Sequence, residues 1–333
     1  PGQLIGKVLR SPHAHARIKS INASEAEKLK GVKAVICRDD LPDMPVMHAA
    51  AGEIMVNFRD VTRTIMAREK ALFDGHPVAA VAATSESIAK AALKLIKVEY
   101  EVLPHVIDVV DAMKPDAPLL HEDQITKGVE PVPEKPSNIA AQMVSKLGDI
   151  EEGFEQADLV VEREFNTKAA HQGYIEPHAS LAIYTEGGNA EVWTSTQGHF
   201  LIRAQIAEIL EMDVSRVKVT PAELGGGFGG KNMIYLEPLA IVLSKKSGRP
   251  VKMVMTRDEV FRASGPTSGT NIIIKIGITK GGRITAAQAI LNYQSGCFPG
   301  SSLPLCTPTA FTRYDIANVL VIGNDVTCNR PKV

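Results

Sequence analysis

Hydrophobic and polar residues alternate in short blocks along the first hundred positions. Leu4–Leu9 and Val32–Cys37 read as strands, and Pro77–Ala83 is an unbroken apolar run of the kind buried on both faces of a sheet. Ser85–Ile96 has helical spacing and Val98–Val102 alternates strictly, so the blocks follow the order strand, helix, strand. Between the first two strands, Ser24-Glu25-Ala26-Glu27 has the spacing of a capping box and predicts a helix ended by Gly31. These patterns predict an α/β domain over residues 1–113. From Lys114 to Lys146 no period is sustained, and Pro115, Pro118, Pro131, Pro133 and Pro136 mark the stretch 114–146 as a connection.

A second domain is predicted over 147–333, which makes the fold class α+β overall. Asp149 is placed to cap a short helix reaching Gln156, and strands are expected at Leu159–Phe165, Leu181–Tyr184 and Glu191–Ser195. Ile202, Ile206, Ile209 and Leu210 form one helical stripe within Phe200–Leu210. A strand at Val217–Val219, a glycine loop, a helix over Ile234–Leu243 and a strand at Val251–Met255 come next. Ile272–Ile278 and Ile284–Tyr293 flank Lys280-Gly281-Gly282, a hairpin turn in which glycine accepts positive φ without steric cost. No internal repeat is evident.

Composition changes this picture only by exclusion. With 44% hydrophobic and 23% charged residues the chain is an ordinary globular one, and 333 residues suffice for two domains. A net charge of -1 gives no general pull toward nucleic acid or an anionic membrane. Cys37, Cys297, Cys306 and Cys328 are too few for a disulfide framework and form no CxxC pair, so a reducing, cytoplasmic setting is expected. No apolar run approaches the roughly 20 residues of a membrane span. Both ends, Pro1-Gly2-Gln3 and Arg330-Pro331-Lys332-Val333, abut strand-like patterns and suggest a piece of something longer.

The most informative segment is Gly225-Gly226-Gly227-Phe228-Gly229-Gly230-Lys231-Asn232, between a predicted strand and a predicted helix. Glycines at five of the six positions from 225 to 230 clear side chains from the backbone and leave N–H donors, which a helix start would favour for anions. Read as GxGxxG, the loop matches at Gly225, Gly227 and Gly230; the next strand then ends in Thr256-Arg257 instead of a ribose-binding acid, though Arg257 suits a 2′-phosphate. Read as a P-loop, it matches through Lys231 and fails at Asn232, which has no hydroxyl for Mg²⁺. Phe228 suits neither phosphate cradle and points to a planar or small organic group.

This loop, preceded by Thr194-Ser195-Thr196-Gln197, resembles the large-subunit signature of the molybdenum hydroxylases: xanthine dehydrogenase, aldehyde oxidoreductase and the carbon monoxide dehydrogenase-like proteins. Ser11–Arg17, Gly75–Val81 and Val98–Glu101 resemble the α/β hammerhead domain of that family, and Tyr174–His178 resembles the entry to its mixed α/β molybdopterin-binding domain. The resemblance implies a molybdenum-dependent oxidoreductase subunit that hydroxylates an aldehyde, N-heterocycle or similar small substrate with oxygen from water. It implies molybdopterin as cofactor, with the cytosine dinucleotide form as one option, and molybdenum held by pterin sulfurs rather than by protein ligands. By the same likeness Gln197 hydrogen-bonds an oxygen ligand of the metal, while Gly226, Gly227, Phe228, Gly229 and Gly230 contact the cofactor. Phe228 and Asn232 face the substrate pocket, and Asn232 stands where purine-oxidising members have glutamate. The family's catalytic glutamate is expected beyond Val333. Iron–sulfur clusters and FAD are expected on partner subunits, which together with the remainder of the molybdopterin subunit would form a hetero-oligomer. A nucleotide- or dinucleotide-binding protein and a non-catalytic assembly scaffold are the competing readings.

Other polar residues carry weaker signals. His13 and His15 share one strand face but lack a third ligand in the sequence nearby. His171, Glu176 and His178 fit no helical metal box and read as supporting groups. Cys297 and Cys306 flank a Gly/Pro/Ser loop without a basic neighbour and read as ordinary thiols.

Overall fold

The computed structural model describes residues 2–51 and 54–333. The chain forms two compact units: residues up to Leu103 join His171–Gly265, and Pro104–Ala170 joins Pro266–Val333. The cause is a pairing that no local pattern reveals. Strand Leu4–Arg10 lies parallel to Val251–Val254, with Leu4 opposite Val251 and Gly6 opposite Met253. Gly6 is required there, because a Cβ would stand 2.6 Å from the Met253 side chain.

In the first unit a seven-stranded sheet runs in the spatial order Val217–Pro221, Ala190–Thr194, Ala179–Tyr184, Val251–Val254, Leu4–Arg10, Pro77–Ala83 and Val32–Cys37. Pro77–Ala83 is buried along its whole length, as its continuous apolar run predicts. Ala80 and Ala82 face a core containing Leu239 and Ile241, whereas Ala79 and Val81 face Ala92 and Ile96 on the other side. Ala92 belongs to helix Glu86–Leu95, opened by Ser85, whose Oγ accepts the Ile88 N–H. The capping box expected at Ser24 is absent: Ser24 is already the first residue of helix Ser24–Lys28, and Asn22 Oδ1 accepts from both its N–H and its hydroxyl. Strand Ala16–Asn22, which the sequence pattern does not announce, forms a smaller sheet with Lys70–Ala71 and Lys97–Val102. Helix Phe58–Ile65, capped by Asn57, is likewise unannounced.

The second unit is built on a five-stranded sheet in the order Leu159–Thr167, Thr270–Ile278, Ile284–Gly296, Val319–Thr327 and Ile139–Leu147. Its last strand falls inside the expected connection 114–146. The remainder of that stretch is no free linker either, because the Asn138 side chain accepts the Leu120 N–H and donates to the Ala112 and Pro118 carbonyls. Asp149 caps helix Ile150–Glu155 as expected, and Thr279–Arg283 closes the expected hairpin with Gly282 at φ 82°.

A row of amides crosses all five strands at directly opposed positions. Gln142 donates to Asn324, Asn324 to Asn292, Asn292 to Asn271, and Asn271 to Glu164 and Asn166, over 2.6–3.0 Å. Asn271, Asn292 and Asn324 are buried. Every step runs in one direction and ends on a carboxylate, so each amide polarises the next. The row also pins register, since a one-residue slip would move each amide to the opposite face of the sheet.

Candidate functional site

The glycine loop lies in the first unit, beyond the end of strand Val217–Pro221. Gln197, just past strand Ala190–Thr194, organises it. Its Oε1 accepts the N–H groups of Gly229 (2.9 Å) and Lys231 (3.2 Å), and its own N–H donates to the Lys231 carbonyl (3.1 Å). Thr196 Oγ1 donates to that same carbonyl. Two backbone donors aimed at one side-chain atom identify it as the amide oxygen. A Cβ on Gly227 would crowd the Gln197 side chain, so a larger residue at 227 displaces either that amide or the loop.

Tyr174 forms the floor. A Cβ on Gly230 would meet its ring at 2.8 Å, and one on Gly226 would meet its Cβ at 3.2 Å. Lys231 Nζ stands 4.9 Å from the centre of the Tyr174 ring and 2.6 Å from Glu176 Oε2, with the lysine side chain fully buried. The same Glu176 oxygen accepts the Gly225 N–H at 3.0 Å.

Beneath the floor, donors and acceptors can be assigned one proton at a time. Gly173 N–H donates to His171 Nδ1, so the histidine proton is on Nε2 and goes to Ser264 Oγ at 2.9 Å. Ser264 donates to the Val260 carbonyl, which leaves Tyr174 as donor to Ser264 and His178 Nε2 as donor to Tyr174 at 2.6 Å. Burial first, and the Lys231 charge second, hold His178 neutral with its pKa down to about 3. Burial also lowers the His171 pKa, helped by Arg257, and raises that of the Tyr174 hydroxyl. His171, Glu176 and His178 are thus supporting groups gathered around one tyrosine, while the roles of Lys231 and Tyr174 went unread in the sequence.

Phe228 is 73% exposed and holds φ at 49°, a left-handed conformation costly for a bulky residue. Gly229 beside it opens on space, for a Cβ there would meet nothing within 4 Å. Asn232 is exposed, and its carbonyl accepts from Gln205. The loop does not open a helix, contrary to expectation: helix Glu237–Ser247 begins later, where the Glu237 carboxylate accepts the Tyr235 and Leu236 N–H groups and Pro238 occupies the first turn.

These commitments count against a phosphate cradle. Lys231 is spent on Glu176, the helix start is displaced, and the Arg257 guanidinium donates to the carbonyls of Tyr174 and Ile175. Among the described residues no group of three or more metal-ligating side chains is present. An organic cofactor that brings its own metal ligands suits this donor set: a side-chain-free backbone curve, an amide NH₂ and an exposed aromatic ring. Gln172 Oε1 adds a buried acceptor, lacking a hydrogen-bond partner, against Gly230.

Residues 132–333 match the family model of the molybdopterin cofactor-binding domain, and residues 1–104 match the aldehyde oxidase and xanthine dehydrogenase a/b hammerhead domain. The chain belongs to the molybdopterin-binding large subunits of the molybdenum hydroxylases. It is 31% identical over 332 residues to a probable xanthine dehydrogenase subunit of Bacillus subtilis (strain 168), covering 99% of this chain and 42% of that one. Against the nicotinate dehydrogenase large molybdopterin subunit of Eubacterium barkeri the identity is 29%, over 99% of this chain and 73% of the relative. Among solved structures, reconstituted CO dehydrogenase from Oligotropha carboxidovorans superposes with a TM-score of 0.82 at 28% identity, covering all of this chain and 42% of the other. The chain therefore spans less than half the length of the Bacillus relative and of the CO dehydrogenase chain. None of these matches supports the nucleotide-binding alternative.

Proposed function

We propose that Gly225–Lys231 and Gln197 bind molybdopterin as part of a subunit that oxidises a small organic substrate. The observation that carries this reading is the double acceptance by Gln197 Oε1, which fixes the loop. When bound, the cofactor supplies a metal centre that takes two electrons from the substrate while water supplies the oxygen. The chain's own residues provide the setting. Gln197 would offer a preorganised amide donor to the bound cofactor, Gly226, Gly227, Gly229 and Gly230 would let it approach the backbone, and Phe228 would shape the space beside it.

Phe228 and Asn232 border the substrate side, and with no carboxylate at 232 a purine is disfavoured relative to an aldehyde or a simple N-heterocycle. The base that activates water is a glutamate outside residues 1–333. Electrons leave through iron–sulfur and FAD subunits in a cytoplasmic hetero-oligomer. No helix among the described residues is long and apolar enough to cross a membrane.

Metal and pterin analysis of the native complex tests this reading. About one molybdenum per large subunit, with a fluorescent oxidised pterin released on denaturation, is expected. A nicotinamide or adenine nucleotide in place of both would overturn it.

A further inference from the structure

We propose that the ion pair between Glu176 and the buried Lys231 is the positioning device of the cofactor loop, an assignment that rests on reading Gly225–Lys231 as the cofactor-binding segment. One oxygen, Glu176 Oε2, holds both ends of the loop: the Gly225 N–H at 3.0 Å and Lys231 Nζ at 2.6 Å. Gln197 grips the middle and the far end through Gly229 and Lys231. Three points of attachment on a segment that is mostly glycine matter more than they would elsewhere, because glycine gives the chain little conformational preference of its own. Glu176 also sets the approach at the near end, since a Cβ on Gly225 would lie 2.7 Å from the Glu176 Cβ.

The charges belong together for a physical reason. Lys231 is sealed over the Tyr174 ring, and Glu176 is the carboxylate paired with it among the described residues. Removing Glu176 strands the sealed lysine charge and destabilises the fold, whereas Glu176, about a third exposed at 32%, is left partly solvated when Lys231 is removed, and neutralising both is often tolerated. That asymmetry separates positioning from mere stability. A doubly neutral variant keeps a foldable interior but loses the carboxylate oxygen that ties Gly225 to Lys231.

The test compares Glu176→Gln, Lys231→Met, the double variant and Glu176→Asp in the complete large subunit with its partner subunits. Three measurements are made: thermal midpoint, molybdenum per subunit, and amide exchange of a peptide covering 225–232 in cofactor-free protein. Glu176→Gln, which strands the buried lysine charge, should lower the midpoint more than Lys231→Met does. The double variant should recover most of that loss, yet its 225–232 amides should exchange at least tenfold faster than in the parent, and its molybdenum content should fall at least fivefold. Glu176→Asp keeps the charge on a shorter arm that cannot hold both donors, and should show the same fast exchange if the double variant does not fold. Parent-like exchange and parent-like molybdenum in either variant would overturn the proposal. A parent complex without molybdenum would instead remove the functional reading, while the exchange comparison would still decide whether the pair holds the loop.

Discussion

The glycine loop of the first unit and the amide row of the second use polar groups in opposite ways. In the row, Gln142, Asn324, Asn292 and Asn271 spend their amides on one another until the chain of donors reaches Glu164. At the loop, the polar side chains hold the backbone from beneath and leave the outer surface uncommitted: Gln197 turns its oxygen inward, and Glu176 and Lys231 close on each other. A closed network fixes a sheet; a network closed on one side only prepares a surface for a ligand. The two regions should therefore fail differently when altered.

The largest effect on stability is expected from Asn292→Leu. It leaves Asn271 Oδ1 and Asn324 Nδ2 buried without partners, and at roughly 1–3 kcal/mol for each unsatisfied group the loss should be about 4 kcal/mol. Urea unfolding followed by amide exchange in strands Ile284–Gly296 and Val319–Thr327 measures it, and molybdenum content should change far less. A loss below about 1 kcal/mol would mean that the row is incidental.

Acid should act on the first unit. His76 and His178 are neutral in the fold, with pKa values lowered to about 4 and about 3, burial being the leading cause for both. An unfolded chain takes up these protons near its ordinary histidine pKa of about 6.5, so the stability each contributes is complete above that value and declines as pH falls toward 4. The loss should approach roughly 3 kcal/mol for each histidine by pH 4. Exchange at the Pro77–Ala83 strand, measured between pH 7 and pH 4.5, should accelerate accordingly, and His76→Gln should remove its share of the slope.

Gly227→Ala sharpens the contrast. With a methyl crowding the Gln197 side chain, the amide or the loop must move and the grip between them is lost, so molybdenum content should fall about tenfold while unfolding free energy changes by only about 1 kcal/mol. Equal loss of both would make the loop a folding element. The smallest effect on folding is expected from Phe228→Ala, within about 0.5 kcal/mol of the parent, because the ring is exposed. Its effect should appear in the relative kcat/KM for substrates of different size.

Sequence patterns revealed what is local. Alternation located most strands of both sheets, Ser85 and Asp149 announced their helices, and the density of glycine singled out the loop. What stayed hidden depends on register between distant segments. Each asparagine of the row is one polar position among several in its own strand, and only pairing aligns them. Glu176 and Lys231 are 55 residues apart, and Lys231 next to glycines invites a phosphate-loop reading until its burial is known. The displaced helix start likewise turns on Glu237, whose carboxylate satisfies the N–H groups of Tyr235 and Leu236. The compact units join distant segments for the same reason, since Leu4–Arg10 finds its parallel neighbour in Val251–Val254.

That last pairing governs the order in which the molecule can be made. A ribosome adds about 5–20 residues per second, so the partner of Leu4–Arg10 emerges roughly 12 to 50 seconds after it. Throughout that interval the strand offers an open hydrogen-bonding edge that any other nascent chain can meet. A product released before Val251 keeps that edge for good and should be found in the insoluble fraction, whereas one extending past Val254 can close it. The birth of this subunit thus has a vulnerable period set by a distance in sequence, and chaperone demand should be concentrated there.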